Sequence, residues 1–189
     1  MEVSSPYQLS ISGSFDEMDP MKWIYISIIH ATRIPPHVGM IIGNKYHSLT
    51  IKGQEVNVPV EALIRNNAVR KIPSVFIKIK SHPVYSTDYL KEHFISTIQQ
   101  FQKVEAGVAT CLSPIKLFFE ETYGVDVKEV NYIFDLLPKL EKSGLIESVS
   151  AMFIEEKVFH LPVYNMNELV VGISKANDEA QKILKVLQG

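Results

Sequence analysis

The chain has 189 residues, 46% hydrophobic and 21% charged, the make-up expected of a globular protein with one core of its own. A formal net charge of −2 gives no overall field directed at nucleic acid or an anionic membrane surface. The single cysteine excludes an intramolecular disulfide, and no apolar run is long enough to read as a transmembrane helix.

The opening MEVSSPYQLSISGSFDEMDP lacks a basic start followed by an apolar run, so no secretory leader and a cytoplasmic setting are expected. Residues 7–13 (YQLSISG) alternate apolar and polar and read as a first, edge-type strand. Asp16 to Pro20 is a polar turn, and Trp23 to His30 (WIYISIIH), rich in aromatic and β-branched residues, is a strand. Pro35 and Pro36 cannot donate to a ladder and end it. Two antiparallel strands follow, Val38–Ile42 and Tyr46–Ile51, joined through Gly43-Asn44-Lys45, where Gly and Asn tolerate positive φ. Glu55–Val58 is a short strand, Pro59–Asn66 a loop or short helix, and Ser74–Lys80 (SVFIKIK) a cleanly alternating strand.

Leu90, Phe94, Ile98 and Phe101 recur at helical spacing, predicting a helix over Asp88–Lys103 capped by Thr87 or Asp88. Ser113–Tyr123 is a second helix, with Pro114 in its first turn and Gly124 at its end. A third is expected over Val127–Ser143, kinked or split by Pro138. Glu147–Phe159 carries one or two strands, and Asp178–Leu187 a C-terminal helix. About six strands and four helices make the class α+β.

Cys111 stands at the start of the second helix. Its thiol there feels the positive end of the helix dipole and nearby free N–H groups, which favour thiolate and can hold an oxyanion. His37 opens one strand and His47 lies on the next, so a short turn brings the two histidines toward each other. One can act as base toward a thiol and the second can orient the first.

The run His37-Val38-Gly39-Met40-Ile41-Ile42-Gly43-Asn44, followed by Tyr46-His47-Ser48-Leu49 and preceded by WIYISIIHATRIPP, resembles the NlpC-type papain-like cysteine hydrolases. In them a motif of this form opens the strand bearing the catalytic histidine, and a second polar residue lies on the next strand. Their usual order puts the cysteine helix first. Here the only cysteine lies downstream, in TCLSPIKLFFEETYG, the order of circularly permuted members such as lecithin:retinol acyltransferase-like proteins and related bacterial hydrolases.

The resemblance covers roughly residues 20–124. It implies a papain-like antiparallel sheet or partial barrel packed on the cysteine-bearing helix, with residues 1–124 as permuted core and 125–189 as a helical and stranded extension packed on it. It implies a thiol hydrolase of the cysteine peptidase, amidase or acyl hydrolase kind, with Cys111 as nucleophile, His37 as base and His47 completing a Cys-His-His triad. No cofactor is implied. The substrates would be a peptide, a peptidoglycan fragment or a lipid or other acyl compound.

Two other constellations compete. His30, His37 and His47 could converge on zinc, but no H-E-x-x-H or paired-cysteine spacing supports a metal site. The alternative function is a catalytically silent papain-like scaffold serving as a protein-binding module, with Val130, Phe134, Leu137 and Leu140 as its docking stripe. His82, His93 and His160 read as ordinary loop, helix and strand-end residues. Gly39 and Gly43 form no phosphate loop, and Ser48 and Ser113 lack a nucleophile elbow.

Overall fold

A computed structural model describes residues 6–187. Residues 1–5, part of the stretch read for a leader, lie outside it. The fold is mixed α+β, with a mostly antiparallel sheet and five α-helices. The strands are β1 (Gln8–Ser10), β2 (Gly13–Ser14), β3 (Ile24–Ile29), β4 (His37–Ile42), β5 (Lys45–Thr50), β6 (Gly53–Pro59), β7 (Ser74–Ile79), β8 (Ile146–Met152) and β9 (Val158–His160). The helices are α1 (Val60–Val69), α2 (Thr87–Ile98), α3 (Ser113–Tyr123), α4 (Ile133–Lys142) and α5 (Met166–Leu187). No helix among the described residues is long and apolar enough to cross a membrane.

Seven strands form one sheet in the order β2-β8-β7-β3-β4-β5-β6, and β1 pairs with β9 apart from it. Only the short β2–β8 contact is parallel. All six residues of β3 are buried because both faces of the sheet are covered. On one face Ile26, Ile28, Val38, Met40, Val75 and Ile77 pack beneath Leu90 and Phe94 of α2, Ile115 and Phe118 of α3, and Leu136, Leu137 and Leu140 of α4. On the other, Tyr25, Ile29, Ile41, Tyr46 and Phe76 meet Val60, Leu63 and Ile64 of α1. Each large side chain buried this way contributes roughly 1.5–3 kcal/mol.

Several boundaries differ from the expectation for local reasons. The segment after Pro59 is a full helix because Asn67, wholly buried, donates to the Ser74 hydroxyl (3.1 Å) and ties α1 to β7. The cap of α2 is Ser86, whose Oγ accepts the Tyr89 N–H (3.2 Å), and the helix ends at Ile98. Phe101 leaves its stripe for a smaller cluster with Leu49, Val104 and Tyr164. The third helix starts only at Ile133, where the Asp135 carboxylate accepts the N–H groups of Asn131 (3.0 Å) and Tyr132 (2.9 Å). It runs unsplit through Pro138, which is exposed. The last helix begins at Met166, with a reciprocal cap in which Asn165 Oδ1 accepts the Glu168 N–H (3.0 Å) and Glu168 accepts the Asn165 N–H (2.9 Å).

The described part of the expected extension, residues 125–187, does not lie over a finished core. Strand β8 sits inside the main sheet beside β7, and α4 supplies part of the main core. The division at residue 124 therefore separates no structural unit.

Candidate functional site

A cleft of about 970 Å³ opens at the start of β4, walled by the loop before it, the approach to α3, the approach to α4, and α5. His37 and Cys111 both line it. The loop is built from the segment that the prolines forbid to remain a strand. His30 takes a left-handed conformation (φ +54°), its carbonyl accepts the Arg33 N–H (2.8 Å), and the chain returns into β4 at His37. On the far wall Gly172 of α5 comes so close to Pro35 that an added Cβ would lie 2.3 Å from the proline Cδ.

The sulfur of Cys111 lies beside the backbone N–H of Val38, the residue after His37, and the N–H groups of Cys111 and Leu112 also favour its charged form. Burial is the larger influence and pushes the thiol up from its ordinary value. This corrects the expectation of a resting thiolate at a helix start. Burial, with a smaller contribution from the neighbouring His30, also lowers the His37 imidazole to about 4. Near neutral pH the pair is therefore thiol and uncharged imidazole. No hydrogen bond joins the His37 ring to the sulfur or to any other described residue.

The donors at the helix start are mostly engaged. Thr110 N–H donates to Ser113 Oγ (2.9 Å), Leu112 N–H to Thr110 Oγ1 (3.2 Å) and Ser113 N–H to the Thr110 carbonyl (3.0 Å). Of residues 110–113, Cys111 alone keeps an N–H without an acceptor beyond its own sulfur among the described residues.

His47 does not complete a triad. It pairs with Met40 across the β4–β5 ladder, whereas His37 pairs with Ile29 across β3–β4. Met40 is an odd number of residues from His37, so the two histidines occupy opposite faces of the sheet. His47 is fully buried against Phe94 of α2 (ring centroids 6.1 Å apart), and its Nδ1 accepts the Asn57 N–H (3.2 Å). Its Nε2 has no partner at full hydrogen-bond geometry among the described residues, with only the Ile42 carbonyl acting weakly on the ring, and burial lowers the ring to about 4. The same separation breaks up the three-histidine zinc set, and no cluster of potential metal ligands occurs among the described residues.

The remaining histidines have structural partners or lie at the surface. His82 Nδ1 accepts the Val84 and Tyr85 N–H groups (both 3.0 Å), His93 meets Glu121 (3.0 Å), and His160 is exposed on β9. The stripe offered for partner docking is consumed internally: Val130, Leu137 and Leu140 are fully buried, and Phe134 stacks on Tyr132 (4.8 Å).

Sequence reasoning missed most of the cleft wall. Glu55 of β6, Tyr132, Tyr164, and Leu169 and Ile173 of α5 all line it. The Asn165–Glu168 cap signal could have extended α5 to this wall, but the other residues are assembled by tertiary packing alone. Compared with protein-family models, with curated proteins and with solved structures, the chain matches none of them.

Proposed function

We propose that the protein is a thiol hydrolase of the permuted papain-like type, acting on an amide, ester or thioester carbonyl. The observation that carries this reading is that the only cysteine and His37, from distant parts of the chain, line one cleft, with the sulfur beside the Val38 N–H. The order of strands followed by cysteine helix fits the permuted arrangement. The unpaired thiol suits a reducing, cytoplasmic setting.

In the proposed reaction the uncharged His37 ring takes the thiol proton as sulfur attacks the carbonyl carbon. The Cys111 N–H supports the developing oxyanion. Collapse expels the amine, alcohol or thiol, which receives the proton from His37, and leaves a thioester on Cys111. Water, deprotonated by His37, then releases the acid and regenerates the thiol. An imidazole that is uncharged before attack suits this order, because its free nitrogen is vacant to take the thiol proton. Peptides, peptidoglycan fragments and acyl lipids all present such carbonyls.

The test is acyl capture from p-nitrophenyl acetate followed by intact mass. The wild-type chain gains one acetyl group; Cys111→Ala gains none while keeping its circular dichroism. His37→Ala is captured more slowly than wild type. Equal acetylation of the Cys111→Ala variant would overturn the assignment. A second reading, a cleft that binds without turnover, is favoured by the missing His37–sulfur hydrogen bond. Ligand binding with no acetyl capture by the wild type would establish it.

A further inference from the structure

Arg33 and Arg70 stand at the His37 end of the cleft. Arg33 belongs to the turn after β3, and Arg70 directly follows α1. Both line the cleft with His30, and both charges act on the His30 ring. Among the described residues the ion pairs are Lys78–Glu147, Lys91–Glu92 and His93–Glu121, so neither guanidinium has a carboxylate partner. The two carboxylates of the cleft, Glu55 and Glu179, come from β6 and α5, and Glu55 accepts from the Ser48 hydroxyl (3.3 Å).

His30 adds an independent observation. A left-handed non-glycine residue costs on the order of 1 kcal/mol, and such strain gathers at functional sites. Here it is maintained by the Ala31 N–H bond to the Pro73 carbonyl (2.9 Å) and by the turn that brings Arg33 back toward it. The neighbouring wall is apolar, through Ile34, Val38, Ile133 and Ile173.

Resting on the thiol reading above, we propose that Arg33, Arg70 and His30 form an anion-binding subsite, so that the substrate attacked by Cys111 carries a carboxylate or phosphate group on an otherwise apolar body. Guanidinium forks match the paired oxygens of either anion, and two exposed guanidinium groups without a carboxylate partner on one cleft wall, in a cleft that Lys52 and Lys175 also line, favour a bound negative group. The imidazole, held uncharged, offers an additional N–H without a third positive charge.

Iodoacetate and iodoacetamide test the subsite, since they differ in charge but transfer similar groups to sulfur, and the chain has a single cysteine to modify. Arg33→Gln with Arg70→Gln should lower the iodoacetate rate relative to the iodoacetamide rate by roughly ten-fold, the scale of two solvent-accessible charge contacts. The doubly Lys-substituted variant should retain most of the preference. An unchanged ratio in the double Gln variant overturns the subsite. Inorganic phosphate and acetate as competitors at constant ionic strength identify the preferred anion: stronger protection against iodoacetate by one assigns the ligand to that class. If neither reagent modifies native Cys111, the thiol reading fails by itself. Thermal unfolding with inorganic phosphate then decides the subsite, a rise in Tm lost in the double Gln variant supporting it and equal shifts overturning it.

Discussion

His47→Asn separates the two roles open to this histidine. Asn can place its side-chain oxygen where Nδ1 accepts the Asn57 N–H, while removing the titrating ring. In the native protein the ring is lowered from 6.5 to about 4 by burial, with the charges of Lys91 and Lys45 adding to the effect and the Ile42 carbonyl opposing it. A base with a lowered native value is protonated first in the unfolded chain. Stability is therefore complete above pH 6.5 and falls as pH drops toward 4. At 1.36 kcal/mol per pKa unit the loss is about 3 kcal/mol. Urea unfolding between pH 7.5 and 4 should show this slope in the wild type and lose most of it in His47→Asn, the remainder coming from other groups including His37. Acetylation of Cys111 at pH 7.5 should be unchanged. A variant with the wild-type pH slope and no acyl capture would refute the buried, non-catalytic placement and restore His47 to the site.

Three further outcomes follow from the cleft. Because burial raises the thiol, direct alkylation of native Cys111 should gain speed only above the pH at which the urea-unfolded chain does, near the ordinary cysteine value of about 8.5; a native inflection below the unfolded one would show a resting thiolate instead. Acyl capture should persist at pH 6 and fall as pH approaches 4, where His37 takes up a proton. Gly172→Ala gains about 1 kcal/mol of helix propensity but sets a methyl against Pro35, so Tm should fall and Cys111 should alkylate faster as α5 is displaced. A higher Tm with unchanged alkylation would show that the contact relaxes without moving the wall.

What was legible in the sequence was local. The cores of β3, β4, β5 and β7 follow from β-branched runs and alternation. The β4–β5 turn is carried by Gly43 (φ +59°) and Asn44 (φ +60°), as their residue types predict, and Pro114 and Gly124 bound α3. The placement of Cys111 and His37 at one cleft was an expectation from motif order, since no local pattern states which chain segments meet. The His47 role failed on information the chain did contain. A tight turn pairing Ile42 with Lys45 fixes the partner of every residue along the ladder, and counting from it puts the two histidines on opposite faces. Long-range pairing is beyond such counting: the mixed stretch IESVSAM over 146–152 does not say that it enters the sheet beside β7. Pro138 misled because the cost of an interior proline depends on surroundings the sequence does not display.

The first two strands are fastened to the last two. Ser12 and Val149, 137 residues apart, exchange backbone and hydroxyl hydrogen bonds, and β1 finds its partner in β9. During synthesis the first strands must therefore emerge and wait, unpaired, until β8 and β9 have left the ribosome. Loop closure over that span makes the last pairing step entropically the most demanding. Early fragments ending before β8 would present the edge of β7 to solvent, where a second nascent copy can pair instead.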